Sequence, residues 1–156
     1  MLKWLWLSAL VVILDQITKY IAVHNLQLHV PQAVLTGLNL TLTHNTGAAF
    51  SMLSQAGGWQ RWFFILLAGT VSIAIIIWMH NLARQRRWMA GCLALILGGA
   101  VGNLCDRITL GYVIDFIDVY YKHLHWPAFN VADSAITLGA IMLIIDSVWF
   151  PEEKME

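Results

Sequence analysis

The chain has 156 residues and no formal net charge; 59% of its residues are hydrophobic and only 12% are charged. A soluble domain carries about 25% charged residues, so this composition excludes an ordinary soluble protein and predicts an integral membrane protein. The length suits a single domain, which we assign to residues 1–156. The neutral charge and the lack of a basic patch with interleaved aromatic residues predict no nucleic-acid partner.

Four apolar segments are each close to the roughly 20 residues that cross a bilayer as a helix. They occupy residues 4–23, 62–79, 88–108 and 131–150. The eight Trp residues lie near the ends of these segments, as is typical of membrane interfaces. No small-x-small cleavage site follows the first segment, which favours an uncleaved span over a signal peptide. The expected fold is a membrane-embedded all-α bundle of four transmembrane helices.

The distribution of basic residues predicts the orientation of these helices. Lys3 precedes the first segment, and the short connection between the second and third segments contains Arg84, Arg86 and Arg87. Residues 24–58 contain neither Lys nor Arg. The positive-inside rule then places both termini in the cytoplasm and the first and third loops outside.

The first outer loop contains a pattern typical of a β-strand. Leu38, Leu40 and Leu42 alternate with polar residues, which predicts a strand with one apolar face. A turn of small residues and an apolar stretch follow over residues 44–51. We expect a small extracytoplasmic β-element on the outer membrane surface. The chain has no internal repeat, which argues against an inverted-repeat transporter.

Several polar residues lie within the predicted spans. Asp15 and Lys19 are four residues apart, with the acid first, which favours an ion pair that neutralises two costly groups and supports the site. Asn103, Asp106 and Arg107 occupy positions i, i+3 and i+4 of the third segment and therefore share one helix face. Two roles stay open for that face, a structural network or contact with a substrate.

Asp115 and Asp133 flank the third loop and suggest acid–base chemistry. Asp115 lies in a Val-Ile-Asp-Phe-Ile run that is typical of a strand or a short re-entrant segment. Asn130 is placed to cap the fourth helix, with Asp133 in its first turn. Stabilisation by the helix dipole is the alternative explanation for Asp133. Two carboxylates from neighbouring span ends nevertheless match a general acid/base pair.

The remaining titratable residues are weaker candidates. Asp118 lies three residues beyond Asp115, and Asp146 is expected to be a boundary charge that snorkels to the membrane surface. His123 and His125 form a lone His-x-His pair, which is better explained by a solvated loop than by a metal site. We predict neither a metal nor a cofactor.

Five sequence blocks, taken together, identify a family. They are DQITK at residues 15–19, NTGAAFS at 45–51, GNLCDR at 102–107, VIDF at 113–116 and FNVAD at 129–133. In this order and spacing the chain resembles the bacterial lipoprotein signal peptidases, or signal peptidase II. The resemblance spans nearly the whole chain, and no motif position departs from the pattern.

The resemblance implies an aspartic endopeptidase of the bacterial cytoplasmic (inner) membrane, with its active site at the extracytoplasmic face. Such enzymes cut lipidated prolipoprotein signal peptides just before the diacylglyceryl-modified cysteine. The implied catalytic pair is Asp115 and Asp133. The positions matched to site-lining residues are Asn45, Asn103, Arg107 and Asn130, and those matched to supporting acids are Asp15 and Asp106. The implied partners are this substrate and membrane lipid, and we expect a monomer.

A helix N-terminus favours negative charge, so we expect Asp133 to be the ionised member of the pair and Asp115 the acid. Two other functions remain open on the residues alone. One is a small proton-coupled transporter subunit, in which buried acids relay protons. The other is a lipid-binding or assembly subunit without enzymatic activity.

Overall fold

The computed structural model of the chain describes residues 1–47 and 58–149. A short 3₁₀ turn, Leu2–Trp4, precedes the first helix. The helices are α1 (Leu5–Asn25), α2 (Trp59–Asn81), α3 (Arg87–Thr109) and α4 (Val131–Trp149). The strands are β1 (Gln32–Leu35), β2 (Leu38–Asn45), β3 (Val113–Tyr121) and β4 (Leu124–His125). Residues 48–51 of the NTGAAFS block lie outside the described residues.

Within the described ranges, four helices are long and apolar enough to cross a membrane, which confirms the four predicted spans. The bounds differ by up to three residues; α2, for example, begins at Trp59 rather than at residue 62. The most buried of these helices is α3: 56% of its most apolar 18-residue stretch is buried inside the protein, compared with 17% for α2. It packs against each of the other three helices and so forms the centre of the bundle.

Glycine residues on α3 allow its neighbours to approach closely. A Cβ atom added to Gly98 would lie 2.7 Å from the Cβ of Val11 on α1. One added to Gly102 would lie 2.7 Å from the Asp15 carboxylate. Small residues at helix contacts are typical of membrane bundles. They bring the polar residues of α1 within hydrogen-bonding distance of those on α3.

The β-element is a four-stranded antiparallel sheet in the order β1-β2-β3-β4. This confirms the predicted extracytoplasmic element as a small sheet, although its side of the membrane stays a prediction. The Val-Ile-Asp-Phe-Ile run forms β3, so the strand interpretation is correct. Leu42, Ile114 and Phe116 pack with Ala22 of α1. The sheet therefore lies at the end of the bundle where α1 and α3 end.

The expectation for Asp146 is wrong. Its side chain does not snorkel to the surface but is only 4% exposed, and it pairs with Arg86 Nη2 at 2.6 Å. The nearby Arg86 guanidinium compensates the charge of this buried carboxylate. Sequence position alone marked it as a helix-end charge and gave no indication of its partner.

Candidate active site

A buried ion-pair network joins α1 to α3. Lys19 Nζ lies 2.8 Å from a carboxylate oxygen of both Asp15 and Asp106, which confirms the predicted pairing of Asp15 with Lys19. All three side chains are buried. Because an isolated charge at bilayer depth costs roughly 2.5–3.5 kcal/mol, these residues must compensate one another. Asp106, which adjoins Arg107 in sequence, pairs instead with this lysine on another helix.

Gln16 belongs to the same network and was not singled out from the sequence. Its side-chain amide donates to Asp15 Oδ2 at 3.2 Å and to Asp106 Oδ1 at 2.9 Å. Gln16 thus links the two carboxylates that Lys19 also contacts. Its position three residues before Lys19, on one helix face, was the available signal.

The Asp115 carboxylate on β3 is held by two asparagine amides. Asn130 Nδ2 donates to its Oδ1 at 2.7 Å, and Asn45 Nδ2 donates to its Oδ2 at 3.0 Å. Burial, reinforced by the negative charge of Asp133, raises the pKa of Asp115 from 3.8 to about 7, although both amide bonds favour the ionised form. Asp115 therefore holds a proton up to near-neutral pH.

Asp133 lies in the first turn of α4, as predicted. Its backbone N–H donates to the side-chain oxygen of Asn130 at 2.8 Å, so Asn130 caps the helix. Asn103 Nδ2 donates to Asp133 Oδ1 at 2.7 Å. Asn130 also donates to Asn103 Oδ1 at 3.1 Å. A continuous chain of amide hydrogen bonds therefore links the two aspartates.

Both aspartates open onto one cavity of about 660 Å³, a size within the usual range for small-ligand pockets. Its polar end is lined by Asn45, Asn103, Arg107, Asp115 and Asp133. Its other walls include Trp126, Phe129, Ile136, Leu138 and Ile141. The cavity thus pairs two carboxylates with an apolar groove along α4.

Arg107 adds a positive charge at the polar end of this cavity. Its guanidinium donates to the backbone carbonyl of Gly47 at 3.2 Å and to that of Asn103 at 3.4 Å. It also lies over the ring of Phe64, 5.0 Å from the centroid. Arg107 therefore joins α2, α3 and the end of β2 beside the two carboxylates.

Asp118 is not part of this cluster. It accepts hydrogen bonds from Asn39 and Thr41, and His125 Nδ1 lies 2.8 Å from its Oδ1. Burial alone would raise the pKa of Asp118, but these partners outweigh burial and lower it. Within residues 1–47 and 58–149 no group of His, Cys, Asp and Glu is placed to hold a metal ion. His125 is thus a partner of Asp118 in the sheet.

In the described part of the chain, four membrane-length helices and a cavity lined by the carboxylates of Asp115 and Asp133 are features of a multi-pass membrane enzyme. The family model described as signal peptidase (SPase) II matches residues 7–149. The chain therefore belongs to the signal peptidase II family. It is a hydrolase of the aspartic peptidase type, and its family acts on lipoprotein precursors.

Curated relatives and solved structures agree with this assignment. The lipoprotein signal peptidase of Teredinibacter turnerae is 56% identical, over 95% of this chain and 88% of its own length. That of Acinetobacter baumannii is also 56% identical, over 98% of this chain and 87% of its own length. A structure described as a bacterial membrane enzyme solved by the in meso method at 2.3 Å resolution is 32% identical, with a TM-score of 0.84. That alignment covers 99% of this chain and 94% of the other.

Proposed function

We propose that Asp115 and Asp133 form a catalytic dyad that cleaves the signal peptide from diacylglyceryl-modified prolipoproteins, just before the lipidated cysteine. The observation that carries this proposal is the pair of carboxylates on one cavity wall, joined through the side chains of Asn103 and Asn130. Paired acids in a shared environment titrate as a coupled pair and perform general acid/base chemistry. No metal is needed for this reaction.

The two acids have different partners, which suggests different roles. Asp133 lies at a helix N-terminus, where negative charge is favoured, and acts as the base that takes a proton from water. The resulting hydroxide attacks the scissile carbonyl carbon, while protonated Asp115 donates its proton to the carbonyl oxygen. When the tetrahedral intermediate collapses, the C–N bond breaks and the leaving amine takes a proton from Asp133, while a hydroxyl group of the intermediate returns a proton to Asp115, which restores the starting state of the pair.

The remaining polar residues of the cavity hold this pair and the substrate. Asn45 and Asn130 fix the orientation of the Asp115 carboxyl group, and Asn103 does the same for Asp133. Arg107 is close enough to both acids to stabilise negative charge as it develops on the substrate carbonyl. The apolar wall along α4 suits a signal peptide that carries acyl chains.

The location of the cavity fits a substrate held in the membrane. It lies at the sheet end of the bundle, and the positive-inside rule assigns that end to the outer face of the inner membrane. A lipidated precursor would present its cleavage site at this level. One chain supplies both carboxylates, which is consistent with a monomer.

Substitution of each dyad residue tests the proposal. Asp115→Asn and Asp133→Asn, purified in detergent, should each lower cleavage of a lipidated prolipoprotein by about 10²–10⁴-fold, with mass spectrometry locating the cleaved bond. Asp118→Asn is the matched control, because Asp118 lies on the same strand and outside the cavity lining in the described part of the chain. Wild-type cleavage by a folded Asp115 or Asp133 variant would contradict the dyad.

The same preparations test the two other functions. A proton-coupled transporter subunit would produce proton flux in liposomes that depends on these acids, without cleavage. A lipid-binding or assembly subunit would tolerate both substitutions. Membership of a peptidase family favours cleavage over either of them.

A further inference from the structure

Lys19 makes three short contacts with the network beneath the cavity. Its Nζ atom lies 2.8 Å from Asp15 Oδ2, 2.8 Å from Asp106 Oδ2 and 2.9 Å from Asn103 Oδ1. An ammonium group has three N–H donors, so these acceptors match its full capacity. The lysine is only 2% exposed. Of the described residues that line the cavity, none is Lys19, Asp15 or Asp106.

Two of these acceptors also hold the backbone next to the dyad. Asp15 Oδ1 accepts the backbone N–H of Ala132 at 2.9 Å. Asp106 Oδ2 accepts the backbone N–H of Ile114 at 3.1 Å. Ala132 directly precedes Asp133, and Ile114 directly precedes Asp115. Each carboxylate bound to Lys19 therefore fixes the chain one residue before a member of the dyad.

The third acceptor sets the orientation of a side-chain amide. Asn103 Oδ1 accepts hydrogen bonds from both Lys19 and Asn130. Because the amide oxygen faces these donors, its Nδ2 group is left to face Asp133, where it donates at 2.7 Å. If the amide rotated by 180°, its NH₂ group would face the ammonium and its oxygen would face a carboxylate.

We propose that Lys19 is a positioning residue for the cleavage reaction, which fixes the separation and orientation of Asp115 and Asp133 through Asp15, Asp106 and Asn103. This inference rests on the proposed dyad. It gives Lys19 a role in positioning the dyad in addition to neutralising buried negative charge. The two acids come from different elements, β3 and α4, and Lys19 on α1 is the common point to which both are connected.

A charge-balanced variant separates positioning from neutralisation. Lys19→Met/Asp106→Asn removes one positive and one negative charge, so the net charge of the network is unchanged, while an amide oxygen at position 106 can still accept the N–H of Ile114. The matched control is Arg86→Met/Asp146→Asn, which makes the same kinds of change at the ion pair between Arg86 and the buried Asp146. Thermal unfolding in detergent is measured for each variant alongside kcat and KM.

If Lys19 positions the dyad, kcat of the Lys19→Met/Asp106→Asn variant falls by about 100-fold. KM changes little, because neither residue contacts the cavity. The Arg86→Met/Asp146→Asn control loses thermal stability and keeps the wild-type kcat. A folded Lys19→Met/Asp106→Asn variant with wild-type kcat, or one whose loss lies in KM alone, overturns the proposal.

A single variant covers the case in which the double variant does not fold. Lys19→Gln retains two N–H donors without the charge, and its kcat should fall by about tenfold; an unchanged kcat overturns the proposal. Asp115→Asn and Asp133→Asn are assayed in parallel. If they cleave normally, the proposed dyad itself fails, whereas inactive dyad variants beside a fully active Lys19 variant overturn only the positioning role.

Discussion

Two ion-pair clusters with buried carboxylates lie at different levels of the same helix bundle, and they differ in what they contact. The Lys19 cluster connects to the backbone beside both dyad residues. The Arg86–Asp146 pair joins the residue before α3 to the last turns of α4, about 20 Å of helical rise from Asp133. Burial of charge is common to both clusters. Only the Lys19 cluster, of these two, is connected to the cavity that holds Asp115 and Asp133. We therefore expect it to affect catalysis, and we expect the Arg86–Asp146 pair to affect stability alone.

The largest expected difference between the cavity end of the bundle and the Arg86–Asp146 end is in the kcat of cleavage. Asp133→Asn should lower kcat by about 10²–10⁴-fold, whereas Asp146→Asn, the same chemical change in the same helix, should leave kcat close to wild type. The comparison uses purified protein in detergent with a lipidated prolipoprotein substrate. A large loss of kcat in a folded Asp146→Asn variant would show that the two levels are not functionally distinct.

A second prediction separates the two roles of Asn130. Asn130→Ser retains an oxygen that can cap α4 but removes the N–H donors to Asp115 and Asn103. Its kcat should fall by about 10–100-fold, with a loss of about 1–3 kcal/mol of unfolding free energy from the lost amide hydrogen bonds at this buried position. Asn130→Ala removes the cap as well and should lose about a further 1 kcal/mol of unfolding free energy.

Thermal unfolding and steady-state kinetics of both variants check this prediction. Equal kcat for wild type and Asn130→Ser would mean that the hydrogen bond to Asp115 has no part in catalysis. A fully stable Asn130→Ala variant would show that the cap contributes little to α4.

The third prediction concerns stability and pH at Asp115. Its pKa is about 7 in the folded protein, compared with an ordinary value of 3.8, so between these values the folded state binds more protons than the unfolded state. The free energy of unfolding therefore falls as pH rises from about 4 to 7. Asn at this position does not titrate, so Asp115→Asn should gain stability over wild type across this interval.

One pKa unit corresponds to about 1.4 kcal/mol, and the gain above pH 7 should accordingly reach a few kcal/mol. It should vanish below about pH 4, where Asp115 is protonated in both the folded and the unfolded state. Unfolding at a series of pH values measures this difference. An Asp115→Asn variant whose pH dependence parallels the wild type would rule out the raised pKa.

The smallest expected effect on activity lies at the Arg86–Asp146 pair. Arg86→Met leaves the buried Asp146 carboxylate without this partner. Because Arg86 is 25% exposed, the cost should be lower than about 3–5 kcal/mol, the cost of breaking a fully buried pair. The melting temperature should fall, while kcat measured well below that temperature should stay within about twofold. A matching loss of kcat would indicate that this level of the bundle also positions the site.

The sequence predicted the helices well because each span is long and apolar, and α3 was identified to within a residue at each end. The strand in the third loop and the cap at Asn130 were also predictable from local signals, namely a β-branched run and an Asn before an apolar segment. Such features depend on neighbours in the chain. The positions of Asp115 and Asp133 at neighbouring span ends already suggested an acid/base pair, and the family resemblance implied that the pair is catalytic.

Long-range contacts could not be predicted in this way. Nothing near Asp146 indicated Arg86, which is 60 residues away, and nothing near Ile114 indicated that its N–H would bond to Asp106. The role of Gln16 between two acids depends on the close approach of α1 and α3 at Gly102. Such contacts can be identified only in the packed structure, because they depend on the distance between the backbones of neighbouring helices.

The most direct test of the account is the pH dependence of kcat/KM for the wild-type protein, because this ratio reports the ionisations of the free enzyme. If Asp115 and Asp133 share one proton, with Asp115 titrating near pH 7, the profile is bell-shaped and its alkaline limb falls from about pH 7. The limb should be absent from any residual activity of Asp115→Asn. A wild-type profile that stays level from about pH 6 to pH 10 would contradict a catalytic pair that needs a proton on Asp115.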